Sequence, residues 1–372
     1  MQQQKALHML NKKCVPNVSA QTLESLATAR IAIDEAITTR FDGDPKKLVR
    51  YGLMPSDHEL ALHCKLAMHT SGKRVRGWLL QAWYKAQGGE DLEAAQDAAV
   101  IIEALHMATL VIDDVQDNSS LRRGQPTLFA ERGTAVAIST GLSLLYGATE
   151  ASRHLPNGER IQPLIVEYVT QLAHGQAKDV IWHRDGSLSV TQHAYERMCS
   201  EKTAKLFILS TRMAEAMAGP SIQTRAMAKL RERAPVVERY FPNNSKRVAE
   251  ALDLVGVAYQ LADDIANITT DIGKDSCEDI RERKITALVV QLQHHGPAPA
   301  RKALQQFYRK RGVSETDIKA VAQLFRDSGT IEAVDKRITE LTSRIAVLIE
   351  EARLEESSRE LMQTLLAISV KR

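Results

Sequence analysis

Residues 92–114, LEAAQDAAVIIEALHMATLVIDD, place Ala98, Ile101, Ile102, Leu105, Ala108, Thr109 and Ile112 at the three-to-four spacing of a buried helical face. The stretches LIVEYVTQLAHGQAKDVIW (164–182), EKTAKLFILSTRMAEAMA (201–218) and RVAEALDLVGVAYQLADDIANI (247–268) keep the same period. Residues 331–370 instead alternate apolar and charged side chains, as surface or interface helices do. No alternating run long enough for a strand interrupts them, and an aromatic content of 5% with few Gly and Pro disfavours a β-sandwich. Turn-forming residues cluster at LPNGER (155–160), YFPNNSK (240–246) and HHGPAPA (294–300), without a linker long enough to separate a pair of domains. The expectation is an all-α chain: a single large helical bundle over 46–372 with a central pocket, preceded by an accessory segment at 1–45.

The charge pattern excludes several functions. Bases and acids are interspersed to a net charge of +3, which gives no reason to expect nucleic acid as a partner. Four cysteines, Cys14, Cys64, Cys199 and Cys277, stand far apart with no metal-ligand spacing, as reduced thiols in a cytoplasmic protein do. No apolar run approaches the ~20 residues that span a bilayer. The first 23 residues hold three lysines and no acid, yet lack both arginine and an apolar secretory core.

Two of the apolar helices end in acids. LVIDDVQD at 110–117 carries Asp113, Asp114 and Asp117, and QLADDIAN at 260–267 carries Asp263, Asp264 and Asn267. Residues four apart share a helical face, so Asp113 projects with Asp117 and Asp263 with Asn267. Clustered carboxylates repel unless a cation lies between them, and oxygen donors without His or Cys suit a hard ion, Mg²⁺ before others. Acids at a helix C-terminus also oppose the macrodipole. Bases frame both clusters: Lys73, Arg74 and Arg76 in SGKRVRG, Arg122 and Arg123 after the first, Lys202 and Lys205 in EKTAKLF, Lys274 and Lys284 after the second. Bases around two metal-binding clusters fit a polyanion that is itself a metal ligand, which a diphosphate is. An apolar pocket behind a diphosphate site describes an allylic isoprenoid substrate.

These residues resemble the trans-isoprenyl diphosphate synthases, most of all the group that makes geranylgeranyl diphosphate, over roughly residues 65–300. GKRVR resembles a segment that implies Lys73 and Arg76 as ligands of isopentenyl diphosphate. ALHMATLVIDDVQDNSSLRRGQPT resembles the first aspartate-rich region. It implies His106 and Arg123 on isopentenyl diphosphate, Arg122 on the allylic diphosphate, and Asp113 and Asp117 as metal ligands with Asp114 beside them. HGQAKDVIWHRD and EKTAKLF imply Lys202 on the allylic diphosphate and Gln176 and Thr203 near the reacting carbons. AYQLADDIAN with KDSCEDIRERK resembles the second region and implies Gln260, Asp263, Asp264, Asn267, Lys274 and Lys284. The chain departs from the family pattern at Gly77, where Pro is usual, at Ile112 and Phe129, and at Arg283, Thr286 and Ala287.

The resemblance implies the isoprenoid synthase type of bundle, three Mg²⁺ ions with substrate bound, and a homodimer or higher homo-oligomer. The implied reaction condenses isopentenyl diphosphate with a farnesyl, geranyl or dimethylallyl diphosphate. Small Ala108 and Thr109 stand one turn before the first acids, where farnesyl-producing members carry aromatic rings, so a C20 product is expected. A class I terpene cyclase shares fold, metals and first motif, but does not need Lys73, Arg76, His106 and Arg123 for a second diphosphate. A prenyltransferase with another acceptor would also lose that basic site, and a non-catalytic subunit would commonly lack one aspartate cluster.

Overall fold

The computed structural model describes residues 20–42, 58–70, 72–122, 124–219, 243–269 and 277–370. In chain order its helices are α1 (Ala20–Asp42), α2 (His58–Met68), α3 (Val75–Ala86), α4 (Leu92–Gln116), α5 (Leu128–Ala151) and α6 (Gly158–Asp185). Then come α7 (Gln192–Cys199), α8 (Lys205–Ala218), α9 (Asn243–Thr269), α10 (Glu278–Arg281) and α11 (Ala287–His295). The chain closes with α12 (Ala298–Tyr308), α13 (Glu315–Asp327), α14 (Thr330–Glu351) and α15 (Glu356–Val370). The all-α expectation holds, with one exception: β1 (Leu121–Arg122) pairs antiparallel with β2 (Gln125–Pro126). Two residues per strand are too few to show alternation in a sequence. Gly124, at φ 74°, makes the turn between them possible.

Helix α4 is the axis of the bundle. Asp91 caps it by accepting from the Ala94 N–H, and its apolar residues pack on α3 to one side and α5 on the other. Helix α8 packs on α3 and α6, while α9 lies along α14 and α15. The segment that the sequence marks as a surface or interface helix buries one face, Val334, Ile338, Leu341, Ile345, Leu348 and Ile349, and exposes its charged side chains on the other. Its spacing is that of one buried stripe on an otherwise charged helix. Breaks fall as expected at Asn157, which is left-handed at φ 57°, and at Gly296–Pro297 between α11 and α12. Of YFPNNSK, residues 240–242 lie outside the described residues and α9 begins at Asn243.

Helix α1 lies inside the segment that the sequence sets apart as accessory, yet Ile33, Ala36, Ile37 and Phe41 are buried against α3 and α4. Arg74 Nε donates to Asp34 at 2.8 Å, Arg40 pairs with Asp97, and Gln96 Nε2 donates to the Ala32 carbonyl at 3.2 Å. Gly77 makes the close approach possible: a Cβ there would meet Ile33 Cδ1 at 2.9 Å. Its N–H, free of any helical partner in the first turn, donates to buried Glu103 Oε1 at 3.0 Å. The family's Pro has neither the N–H nor the room. Gly77→Pro is expected to leave Glu103 short of a partner and to destabilise the chain by about 1–3 kcal/mol. Thermal unfolding checks this, and an unchanged Tm would refute the packing argument.

Candidate active site

A cavity of about 920 Å³ opens where α4, α6, α8 and α9 converge. Asp113 and Asp117 from the end of α4 line it, and Asp263, Asp264 and Asn267 from α9 line it as well. Below the acids the wall is apolar, with Met107, Leu110, Leu172, Met198, Leu206 and Phe207. The two acid-tipped helices of the sequence thus meet at one mouth.

The C-terminal end of α4 is where the macrodipole disfavours acids most, and the local fold answers with bases. After Asn118, left-handed at φ 52°, the chain reverses through the β1–β2 ribbon and carries Arg122 back over the helix end. Thr127 pins the reversal, its Oγ1 donating to the Ser119 carbonyl at 2.7 Å. Arg122 then forks, with Nε to Asp114 Oδ1 at 2.7 Å and Nη2 to Asp113 Oδ2 at 3.0 Å. Lys202 reaches Asp179 at 2.6 Å and Asp113 at 3.3 Å, and Lys284 reaches Asp117 at 2.7 Å. Burial pushes the Asp113 carboxyl up, but Lys202, Arg122, Lys284 and a hydrogen bond from Gln176 together hold it below the usual carboxylate range. Asp114 has less help: burial raises it to about 6 despite Arg122. Asp263 is also raised by burial, against Lys284, Lys73, Arg122 and Lys202.

Lys202 and Thr203 sit in a π-helical turn, Ser200–Ala204, that joins α7 to α8. Such turns widen a helix and present side chains that a regular turn would not. Two glycines let neighbouring helices close on it. A Cβ on Gly175 of α6 would lie 2.5 Å from the Lys202 backbone nitrogen, and one on Gly256 of α9 would lie 2.6 Å from Ala204 Cα. Asp253, one turn before Gly256, binds both ends of the bulge, accepting from Ser200 Oγ at 2.7 Å and Lys205 Nζ at 2.6 Å. Gly256→Ala is expected to cost about 1–3 kcal/mol by overpacking, although Ala is the better helix former by about 1 kcal/mol. Displacing Lys202 should also lower kcat more than it changes KM. A gain in Tm with full activity would overturn this account of the turn.

A second cationic group lies on the α3 side of the cavity. Arg76 Nη1 is 3.2 Å from His106 Nε2, and its guanidinium lies 4.6 Å from the Phe207 ring centroid. Arginine only donates, so His106 accepts at Nε2 and carries its proton at Nδ1. Lys73 lines the same side and is exposed. Its neighbour Arg74 is turned inward, buried against Asp34, Glu103 and the Met68 carbonyl, and serves the fold.

Several residues singled out by the sequence do something other than expected. Asp114 is absent from the cavity lining and holds Arg122. Both Asp264 oxygens are engaged: Oδ2 accepts from the Tyr195 hydroxyl at 2.6 Å and the Ala287 N–H at 2.8 Å, and Oδ1 from Gln260 Nε2 at 3.1 Å. Burial raises Asp264 to about 6, against those hydrogen bonds. Asn267 Oδ1 accepts from the Asp279 N–H at 3.3 Å. Asp114 therefore stands outside the lining, whereas Asp264 and Asn267 line the cavity with Asp113, Asp117 and Asp263 but accept hydrogen bonds from neighbouring elements. Gln176 donates to Asp113 and to Gln116, both at 2.8 Å, and Thr203 donates to Gln260 at 3.3 Å. Arg123 and Lys274 lie outside the described residues.

The chain-length expectation divides in the same way. Thr109 lines the cavity, but Ala108 is buried outside the lining, on the stretch of α4 that packs on α5, where a Cβ on Gly141 would meet Ile112 Cγ1 at 2.7 Å. The cavity wall at this turn of α4 is made by Met107, Thr109 and Leu110. Sequence reasoning also missed two acids. Asp179 stands one turn after Gln176 on α6, a spacing that could have revealed it. Asp279 begins a new helix, and burial beside Asp264 and Asp263 raises it to about 8 despite Lys284.

The donor set fits a hard divalent cation. Every acid at the mouth offers carboxylate oxygen, and among the described residues no three His, Cys, Asp or Glu converge tightly enough to cage a metal alone. Mg²⁺ binds through one or two carboxylates and takes the rest of its shell from substrate oxygens or water, which such a donor set can serve. Among the described residues no helix is long and apolar enough to cross a membrane.

A family model described as polyprenyl synthetase matches residues 58–325. Geranylgeranyl pyrophosphate synthase of Dictyostelium discoideum is 26% identical over 301 residues, which cover 79% of this chain and 89% of that protein. The all-trans-nonaprenyl-diphosphate synthase (geranyl-diphosphate specific) of Rhodobacter capsulatus is 29% identical over 292 residues, covering 77% of this chain and 81% of its own. The crystal structure of geranylgeranyl pyrophosphate synthetase from Pyrococcus horikoshii Ot3 superposes with a TM-score of 0.73 at 25% identity, covering 95% of this chain and 99% of that one.

Proposed function

Since the chain belongs to the polyprenyl synthetase family, a family of trans-prenyltransferases, we propose that it condenses isopentenyl diphosphate with an allylic diphosphate to give geranylgeranyl diphosphate. The observation that carries this reading is the presence of two cationic groups around one acid-mouthed cavity. Arg122, Lys202 and Lys284 interleave with Asp113 and Asp117, and Arg76 with His106 forms a separate group beside Lys73. Ionising one diphosphate needs the first group alone; holding a second diphosphate uses the other.

Asp113, Asp117 and Asp263 are the proposed Mg²⁺ ligands, and the ion supplies the charge neutralisation that makes the allylic diphosphate a leaving group. Arg122 and Lys202, now paired with Asp113, turn to the diphosphate oxygens when substrate arrives. The allylic C–O bond breaks and the diphosphate leaves with the electron pair. Met107, Leu110, Leu172, Met198, Leu206 and Phe207 keep water from the resulting cation. Isopentenyl diphosphate, gripped by Lys73, Arg76 and His106, attacks through its double bond to form the new C–C bond. A proton then passes to the released diphosphate. Product length follows from the cavity wall, where Thr109 puts a small side chain under the acids.

The same reading includes a homodimer. Ile138, Leu142 and Tyr146 recur every four residues as an exposed apolar face of α5, and Leu62 and Leu66 are exposed on α2, which packs against it. The function test is incubation with Mg²⁺, farnesyl diphosphate and isopentenyl diphosphate, followed by dephosphorylation and identification of the alcohols. Geranylgeraniol is the expected product. A hydrocarbon released from geranylgeranyl diphosphate without elongation would establish a cyclase instead.

A further inference from the structure

Helix α1 brings a residue to the cavity that no motif predicts. Arg30 lines it together with Gly72, Lys73, Arg74 and Arg76. Its position is fixed by the next turn of its own helix: Ile33 is fully buried, with Gly77 leaving it room, and Asp34 is bonded to Arg74 at 2.8 Å. Asp34 therefore stands between two guanidinium groups, with Oδ1 on Arg74 and Oδ2 at 3.8 Å from Arg30 Nε. The two contacts differ in kind. Arg74 is buried and hydrogen-bonded, with the carbonyls of Met68 and Thr70 completing its shell. Arg30 is half exposed, and 3.8 Å is beyond hydrogen-bond length, so its planar fork keeps its donors for another acceptor.

We propose that Arg30 is a further binding residue for the diphosphate held on the α3 side of the cavity, acting as a phosphate clamp delivered by α1. The inference rests on the two-diphosphate reading of the site and adds to it a residue from outside the family-matched region, which begins at residue 58. Arginine suits the task because its fork matches phosphate oxygens two at a time, where a lysine offers a point charge. Helix α1 is in turn more than packing: its docking through Ile33 and Asp34 sets where that fork stands.

The test uses the full chain and the variants Arg30→Gln and Arg30→Lys, with two readouts. In steady-state kinetics Arg30→Gln is expected to raise KM for isopentenyl diphosphate by about 5- to 10-fold, the size of one lost charge-assisted hydrogen bond at a wet site. KM for farnesyl diphosphate should stay within about twofold, and Arg30→Lys should recover some of the loss. Calorimetric titration with inorganic pyrophosphate in EDTA reads the cationic groups without any metal, and the Kd of Arg30→Gln should rise by a similar factor. Equal rises in both KM values, or a Tm loss with unchanged KM and Kd, would overturn the proposal, since they mark a general field effect or a structural role. The two readings fail separately. A wild-type chain that binds pyrophosphate through Arg30 but makes no elongated product refutes the synthase function alone. An active chain indifferent to Arg30→Gln in both readouts refutes the clamp alone.

Discussion

Asp113→Ala is expected to lower kcat by about a thousandfold or more while leaving the helical content unchanged. The figure corresponds to several kcal/mol of lost transition-state charge stabilisation, at about 1.4 kcal/mol per decade. Asp113 is the acid at the mouth that draws in the most side-chain cations: Arg122 and Lys202 bond to it, together with Gln176. It faces the cavity, and its cationic partners are side chains that a diphosphate can draw away. Asp114, one residue on, is turned from the cavity and bound to Arg122. Asp114→Asn should therefore cost less, about 10- to 100-fold, and act through the placement of Arg122. Circular dichroism with steady-state kinetics over a range of Mg²⁺ concentrations checks both. Equal losses for the two substitutions would refute the division of labour, and full activity in Asp113→Ala would refute the metal role.

Thr109→Phe is expected to switch the main product from C20 to C15. Thr109 lines the cavity one turn before Asp113, with its hydroxyl donating to the His106 carbonyl at 2.7 Å and its methyl free for the wall. A phenyl ring there fills cavity space that the proposed reaction leaves to the growing chain. Ala108→Phe has a different expected signature, because Ala108 is 1% exposed in the α4–α5 seam. The ring must first overpack that seam at a cost of about 1–3 kcal/mol or more, so Tm falls whatever happens to the product. Product analysis by chain length, with thermal unfolding of both variants, tests the pair. A C20 product from Thr109→Phe would refute the role of Thr109 in the cavity wall, and an undisturbed Tm in Ala108→Phe would refute the burial of Ala108 in a tight seam.

Position by position, the sequence was most informative where one periodicity governs a whole element. Helix α4 over Leu92–Gln116 and α9 over Asn243–Thr269 follow from apolar spacing, and acids at their ends follow from the letters themselves. The bases Lys202 and Lys284 were visible as charge, although their partners were not: Asp179 and Asp117 come from other helices. The π turn that carries Lys202 has no local signature. It exists because Gly175 and Gly256 let α6 and α9 close on it and Asp253 ties its ends. The docking of helix α1 is hidden from the sequence for a related reason. Its apolar residues cover more than one face, Ile31 being exposed while Ile33 and Ile37 are buried, so the sequence does not show which of them pack on the bundle.

The sequence by itself determined that the chain is a helical bundle with two acid-tipped helices framed by bases, because helical period and residue type are local properties. Tertiary structure alone decided what each member of a neighbouring pair touches. Asp113 lines the cavity and Asp114 holds Arg122; Asp263 and Asp264 both line it, but Asp264 is bonded to Tyr195 and the start of α11; Thr109 lines it and Ala108 is buried outside the lining. Each choice is a rotation of about 100° about a helix axis. That rotation is fixed by what packs on the other side, by Gly141 against α4 and by Tyr195 and Ala287 against α9, and it is written nowhere in the residues that it selects.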